Sequence, residues 1–375
     1  MRYILFLFTG LFLFNTLSAN ESKVCQKCHP LIYKEYYESS HRRASVYNNE
    51  LHKAMWDKHP KTPKGYTCAK CHSPSDEKAL KYGELAENSI QKDEPISCVY
   101  CHTIKDIQEG DDSNTNISNG KKREFYTSEK GHSGKAEYKT VTSWFGLIKE
   151  SKASPFHKID YDNKNYTNGN MCMGCHSHTN NEHSFDISML DAMIDDKDKN
   201  TCVTCHMPQV AGTKVTLLNT KTHAYHGIAG IYHKTKDLGK YVDFEVSKSD
   251  HGFKIRVINR SNHALFGQAF RQGILKVQII RNSKTINLPN FVFERILGKD
   301  SKEVAMPWDA DSAIKDTLIY AKRDVDYSLV IKDGDTLVVS LGVQLISKDG
   351  LKKLGLQKKD EFTRFRTIKT QKFHF

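Results

Sequence analysis

Ten cysteines and five histidines recur along this chain in one fixed spacing. Every cysteine belongs to a Cys-x-x-Cys pair, and a histidine follows the second cysteine of each pair. Because unrelated pairs would not all end in histidine, the repetition indicates one chemistry used five times. The five groups are Cys25/Cys28/His29, Cys68/Cys71/His72, Cys98/Cys101/His102, Cys172/Cys175/His176 and Cys202/Cys205/His206.

Three chemistries use paired cysteines, and they differ in what they need from the histidine. Disulfides would not require it, and structural zinc usually joins two Cys-x-x-Cys pairs per ion, which leaves one of five pairs over. Cys-x-x-Cys-His is the covalent attachment site of c-type haem. The spacing sets both sulfur atoms on one side of a tight helical turn, and the adjacent imidazole binds the iron. The motifs therefore predict five covalent haem c groups.

The first nineteen residues, "MRYILFLFTGLFLFNTLSA", have the composition of an export signal. Arg2 precedes an apolar run, and small residues lead to Ala19. This pattern predicts a secretory signal peptide over residues 1–19, and the run is too short for a comfortable membrane span. An uncleaved anchor is the alternative. Since c-type haem is attached outside the cytoplasm, we expect a periplasmic protein.

The pattern of residue types along the chain changes after the last cysteine, Cys205. Residues 20–240 hold all five motifs among short helical patterns, and the polar segment 106–135 resembles a long exposed loop. After about residue 240, runs such as "GFKIRVINR" alternate apolar and polar side chains between turn signals such as "KDGD". We therefore predict an α+β fold: a mainly helical, loop-rich pentahaem domain over 20–240 and an antiparallel, immunoglobulin-like β-sandwich over 241–375.

The formal net charge of +12 is unevenly distributed. Residues 20–240 carry 31 Lys and Arg against 28 Asp and Glu, whereas residues 241–375 carry 24 against 16. Each haem adds two propionate groups, so the loaded first part should be acidic, the second basic and the whole near neutral. This balance argues against nucleic acid as a partner. A dipole of this kind can orient a redox protein during encounter, although a merely solvated basic face is the alternative.

A further histidine follows the first motif in "CQKCHPLIYKEYYESSH". Pro30 suits the first turn of a helix, and we expect the helix to continue through His41. Twelve residues of helix span about 18 Å, and the two ligands of one haem iron lie on opposite faces of that haem. If His41 binds iron, it therefore binds a different haem from His29. The alternative is a surface histidine.

Residues 21–232 resemble the multihaem cytochrome c superfamily of the cytochrome c-552/c-554 type, which is related to hydroxylamine oxidoreductase and octahaem tetrathionate reductase. The stretch above resembles the family's Cys-x-x-Cys-His followed by Trp-x-x-Ser-x-His, with Tyr36 in place of Trp and Ser39 kept. "CVTCHMP" at 202–208 resembles a frequent last motif of such arrays. The resemblance implies that His41 is a distal ligand to a neighbouring haem.

The resemblance also implies distal ligands elsewhere. "SPFH" supplies His157, and "THAYHGIAG" supplies His223 or His226. In the tail, "NRSNHALFGQ" resembles an element by which a sandwich domain contacts a haem, and it implies ligation by His263, the alternative being packing at the domain interface. The fifth iron could use His132, His178 or His183, or stay open.

Two functions compete at this point. If every iron has two histidines, the haems carry electrons between a membrane quinol dehydrogenase and a periplasmic reductase or cytochrome, with contact at the membrane surface left open. If one iron has an open position, the protein could be an oxidoreductase acting there on a small nitrogen or sulfur compound. No motif reads Cys-x-x-Cys-Lys, the catalytic signature of the nitrite reductases that this cytochrome family resembles, so electron transfer is favoured.

Overall fold

Short helices carry the Cys-x-x-Cys-His motifs in the first part of the chain. The structure is a computed structural model that describes residues 21–61, 65–121, 123–142, 149–190, 201–216, 220–303 and 306–375, so the predicted signal peptide lies outside the described residues. The helices described before residue 240 are α1 (Glu21–Gln26), α2 (Pro30–Glu38), α3 (Glu50–Asp57), α4 (Ala69–His72), α5 (Glu77–Tyr82), α6 (Ser89–Asp93), α7 (Cys98–His102), α8 (Lys164–Asn168) and α9 (Cys202–His206), with 3-10 turns at Asn170–Cys172 and Thr235–Tyr241.

Each motif closes on itself as a single helical turn. The backbone N–H of the motif histidine donates to the carbonyl oxygen of the first cysteine, which places the two thiols on one side as their spacing predicts. Polar caps begin two of these turns: the side chains of Ser97 and Thr201 accept from Tyr100 and Thr204. In three of the motifs this hydrogen bond joins His29 to Cys25 at 2.8 Å, His72 to Cys68 at 2.9 Å and His176 to Cys172 at 2.9 Å.

Helix α2 is shorter than the sequence suggested. It ends at Glu38, and Ser39 leaves the helix with an extended backbone (φ −70°, ψ 162°). The Ser39 hydroxyl accepts from the backbone N–H of Arg42 at 3.2 Å. This local hydrogen bond competes with helix continuation, so the expectation that the helix reaches His41 was wrong. His41 is instead held in a turn just beyond it.

Segment 106–135 is not the long loop that its composition suggested. It contains most of a hairpin and two further short strands, whose side chains are largely exposed. Because these strands satisfy their backbone groups by pairing while their polar side chains face water, the apolar alternation of a half-buried strand is missing. The strands before residue 240 are β1 (Ile104–Gln108), β2 (Thr115–Ser118), β3 (Glu124–Tyr126), β4 (Lys135–Ala136), β5 (Lys139–Thr142), β6 (Lys149–Lys152), β7 (Lys158–Asp160), β8 (Gln209–Ala211) and β9 (Thr222–Ala224).

The tail is dominated by antiparallel sheets. The strands are β10 (Val242–Ser249), β11 (Gly252–Asn259), β12 (Gln272–Arg281), β13 (Lys284–Asn287), β14 (Phe291–Phe293), β15 (Arg295–Lys299), β16 (Lys302–Glu303), β17 (Ser312–Asp316), β18 (Lys322–Tyr327), β19 (Thr336–Gln344) and β20 (Arg366–His374), with helix α10 (Lys348–Leu354) and 3-10 turns at Pro307–Asp309 and Asp360–Phe362. In one sheet the strand order is β10–β11–β18, in the second it is β13–β12–β19–β20 with β14 also paired to β12, and in a third it is β16–β15–β17.

One hydrophobic core joins the first two of these sheets. Ile255 and Val257 of β11 face Leu275 of β12 and Leu337 and Leu341 of β19, all fully buried. The alternating burial along β11 matches the period-two pattern of its sequence. The α+β class and the antiparallel sheets are thus confirmed. The immunoglobulin-like topology and the boundary at residue 240 stay predictions.

The tail packs directly on the helical part. Leu351 and Leu354 of α10 belong to a second hydrophobic cluster against which Leu51 and Met55 of α3 pack. This contact holds the sheets of the tail next to the motifs. Within the residues that the structure describes, no helix has the length and apolar character needed to cross a membrane.

Candidate cofactor sites

One continuous cavity of about 4240 Å³ reaches all five motifs. All ten motif cysteines and all five motif histidines line it. Divided among five motifs, the space is about 850 Å³ each, near the upper end of the roughly 300–1,000 Å³ of a small-molecule site. The ten thiols, all within the described residues, form no disulfides. The space and the thiols, none of them in a disulfide, fit one large, covalently held cofactor per motif.

Four motif histidines face a second histidine at nearly the same separation. Two imidazoles that bind one metal ion from opposite sides, each through a bond of about 2 Å, have ring centroids about 6 Å apart. The observed centroid separations match this value and leave room for one iron between the rings. The pairs are His29 with His157 at 6.3 Å, His41 with His176 at 6.1 Å, His102 with His226 at 6.2 Å and His206 with His263 at 6.2 Å.

Backbone carbonyls fix the tautomer of most of these imidazoles. A carbonyl oxygen only accepts, so Nδ1 must carry the proton and the lone pair of Nε2 is left for a metal. Six rings, including the one of His72, make this contact at 2.6–3.0 Å. They are His29 with Lys214 (2.7 Å), His72 with Ala44 (2.9 Å), His102 with Tyr126 (2.8 Å), His206 with Ala229 (2.6 Å), His226 with Ala224 (2.7 Å) and His263 with Ala264 (2.9 Å).

Burial favours the neutral form of five of the paired imidazoles. Desolvation, reinforced by neighbouring imidazoles, lowers the pKa of His176 and of His226 to about 4. Burial also lowers the pKa of His41, His102 and His206. Since a neutral imidazole is the form that binds iron, these rings are ready to act as ligands at neutral pH.

Neighbouring motifs touch through their thiols. The Cys25 thiol is hydrogen-bonded to that of Cys98, which joins the first and third motifs. The thiol of Cys71 contacts Cys175, and the thiol of Cys172 contacts Cys202. These contacts join the second and fourth motifs, and the fourth and fifth.

Asn116 connects the third and fourth motifs. Its side-chain amide donates to the Tyr100 hydroxyl at 3.0 Å and lies 3.7 Å from Cys175 Sγ. Tyr100 lies within the third motif and Cys175 within the fourth. Through these contacts each of the five motifs is connected to at least one other, and the fourth motif is connected to three of them.

His41, His157, His226 and His263 are the predicted distal residues that the structure brings opposite a motif histidine. Of the two candidates in "THAYHGIAG", the geometry favours His226 over His223. His223 Nε2 lies 3.1 Å from a Glu35 carboxylate oxygen, and its Nδ1 lies 3.0 Å from the Gly212 carbonyl oxygen. Both nitrogens of His223 are therefore already engaged, and His223 serves to hold Glu35, which also accepts from the backbone N–H of His226 at 2.9 Å.

The second motif differs from the other four. His52 stacks on His72 with ring centroids only 3.8 Å apart and planes 8° from parallel, which leaves no room for an ion between them. His52 Nε2 is hydrogen-bonded to the Tyr66 hydroxyl at 2.8 Å. Within the described residues, which include every histidine of the chain, no ring faces His72 at the spacing of the other pairs.

The three residues considered for a fifth pair lie elsewhere. His178 Nε2 is 2.8 Å from the Gly110 carbonyl oxygen, the ring of His132 lies tilted against that of Tyr161, and the side chain of His183 is exposed. Sequence reasoning missed the role of His52, which belongs to no motif. A helical position three residues after the Asn49 cap gave no indication that its ring would cover His72.

Comparison with known proteins supports the interpretation of the five motifs as haem sites. Residues 24–103, which include the first three motifs, match a family model described as cytochrome c554 and c-prime. The solved structure of a penta-haem cytochrome c552 from Thermochromatium tepidum is similar with a TM-score of 0.69, over 94% of this chain and 98% of that chain, at 19% identity. At this identity the likeness shows a shared fold. None of the curated proteins compared with this chain matches it.

Proposed function

We propose that this chain is a multihaem c-type cytochrome, which the family match over residues 24–103 and the shared fold support, and that it acts as a pentahaem electron carrier of the periplasm. Each Cys-x-x-Cys pair would bond one haem c, and the motif histidine would bind its iron. Bound haem supplies one-electron redox chemistry. Five motifs, and a similar structure that is itself a penta-haem cytochrome, support the count of five.

The pairing of imidazoles is the observation that carries this proposal. In each of the four pairs at 6.1–6.3 Å, the two imidazoles would hold one iron, which would leave no ligand position for a substrate at those sites. Attachment cysteines of neighbouring motifs lie side by side. Closed irons at adjacent sites suit electron passage better than chemistry on a small molecule.

The partners we propose are redox proteins. The acidic haem-loaded part and the basic tail, with 24 basic against 16 acidic side chains, suit oriented encounter with a membrane quinol dehydrogenase on one side and a periplasmic reductase or cytochrome on the other. Export by the signal peptide proposed at residues 1–19 would bring the chain to the compartment in which such partners meet.

The test is a coulometric titration of the exported, purified protein. A pentahaem carrier accepts five electrons per chain and passes them on to a second cytochrome in stopped-flow mixing. Intact mass measured on the same sample gives the number of haems. A protein with five haems that reduces no cytochrome acceptor at a measurable rate would contradict the carrier function while leaving the haem count intact.

A second function is favoured by the second motif. Because no histidine ring among the described residues faces His72 at the spacing of the other pairs, an iron held there would have His72 as its histidine ligand and could bind a small nitrogen or sulfur compound. A series of ring contacts leads from His52 through Tyr66, Trp56 and His59 to Trp308 of the tail. Of these residues, His52, Trp56, His59 and Trp308 line the same cavity. Catalytic current from the protein on an electrode, appearing with nitrite, hydroxylamine or tetrathionate and abolished by cyanide, would support this activity. Its absence with all three would leave electron transfer as the function.

A further inference from the structure

The loop between β11 and β12 brings two functional side chains of the tail to the cavity. His263 lies near its start and Arg271 at its end, and both line the cavity. Two non-glycine residues of the loop, Phe266 and Phe270, have positive φ values of 70° and 66°. Left-handed backbone of this kind is unfavourable for a phenylalanine and persists where the surroundings demand it. The strained turn at Phe270 sets the direction in which Arg271 leaves the loop.

Arg271 has no anionic partner among the residues that the structure describes. Across the parts of the chain that the structure describes, no carboxylate or carbonyl oxygen accepts a hydrogen bond from its guanidinium. Other arginines of the tail are paired: Arg256 binds Asp324, and Arg281 binds Asp335, each with two nitrogen atoms. Burial lowers the pKa of Arg271 to about 10, the direction expected for a cation taken from water without compensation.

The surroundings of Arg271 add positive charge. The charge of Arg366 also lowers the pKa of Arg271. Tyr232 lines the cavity as well, and the guanidinium groups of Arg43 and Arg366 lie over its ring at 5.9 Å and 5.6 Å. A partly buried cation in such a setting favours a nearby anion, because leaving it unpaired is unfavourable.

We propose that Arg271 binds a propionate carboxylate of a haem attached at one of the motifs that line this cavity, and that it thereby raises the reduction potential of that haem. The planar guanidinium matches a carboxylate through two parallel hydrogen bonds. A fixed positive charge favours the reduced, less positive iron over the oxidised one. The proposal rests on the haem loading proposed above, and it makes the tail a determinant of the order in which the sites are reduced.

Arg271→Gln is the direct test. The variant removes the charge and keeps a side chain of similar length. With five haems present by intact mass, spectroelectrochemical titration should show one low-spin haem moved to lower potential and four unchanged. Arg364→Gln, the same change at an exposed tail position, is the matched control and should titrate like the wild type. A wild-type titration curve for Arg271→Gln would overturn the proposal.

Two further measurements keep the proposal separable from its alternatives. If Arg271→Gln loads fewer than five haems, Arg271→Lys is used instead. Lysine keeps the positive charge but loses the planar guanidinium that forms two parallel hydrogen bonds. The propionate bending band of one haem should therefore shift in the resonance Raman spectrum. An unchanged band contradicts the proposal. If Arg271 instead holds a free anion, wild-type potentials should change when phosphate replaces chloride at constant ionic strength. The proposal predicts no such change. A haem count below five in the wild type would refute the proposed loading instead.

Discussion

Removing the His263 imidazole should open one iron and leave the cofactor attached. His263 is a residue of the tail, yet its ring faces His206 at 6.2 Å, the separation found in three other pairs. Cys202 and Cys205 would still hold the haem, and His206 keeps its hydrogen bond to the Ala229 carbonyl oxygen at 2.6 Å. His263→Ala should therefore convert one iron from low-spin to high-spin without loss of haem.

The size of this effect follows from the number of pairs. Four imidazole pairs imply four low-spin irons in the loaded wild type, and the variant should have three, so the low-spin electron paramagnetic resonance (EPR) intensity should fall by about a quarter. Added imidazole should restore the lost intensity, because it can enter the space that the side chain left.

The assay is spin quantitation by low-temperature EPR of the oxidised protein, normalised to haem. His251→Ala is the control, since His251 lies exposed in the turn between β10 and β11. His226→Ala should give the same loss at a different haem. If His263→Ala keeps the full low-spin intensity, the tail supplies no ligand, and the 6.2 Å spacing at His206 has another cause.

Three other outcomes are expected. Leu341→Ala, at a fully buried position of β19, should lower the free energy of unfolding by about 2–5 kcal/mol, whereas Ile314→Ala, 39% exposed, should have little effect in the same thermal melts. Hydrogen bonds from Arg281 lower the pKa of Asp335 from 3.8 to about 2, so the stabilisation by the Asp335 carboxylate is present above pH 4 and lost as the pH falls towards 2. The melting temperature of Asp335→Asn should therefore lie below that of the wild type at pH 7. A difference in melting temperature that persists in acid would refute this. Association with a redox partner should slow as salt rises, since charges are screened beyond about 8 Å at physiological ionic strength, and stopped-flow rates that stay flat would remove the steering role of the tail.

The chemistry of the motifs could be inferred from sequence because covalent attachment needs fixed residue types at fixed spacing. Cys25, Cys28 and His29 form one local turn, so neighbours in sequence are neighbours in space. The strands of the tail could also be predicted, because the alternation of apolar and polar residues in β11 directly reflects which side chains face the core.

The pairing of sites could not be inferred in this way. His41 faces His176, and His263 faces His206, across long stretches of chain, and spacing says nothing about such contacts. His52 shows the limit most clearly, because its position over His72 depends on how α3 packs against the second motif. The sequence also contained no indication of a role for Arg271, because an arginine stands out only when its surroundings in the fold provide no anion.

Four of the five irons should have two histidine ligands, and the iron at His72 should not. EPR spin quantitation of the wild-type protein, loaded with five haems by intact mass, measures this difference. We expect four low-spin ferric haems and one haem without a second histidine, detected as high-spin. Five low-spin haems with bis-histidine signatures would contradict this expectation, because His52 would then have to leave its stack on His72 or another histidine would have to reach that iron.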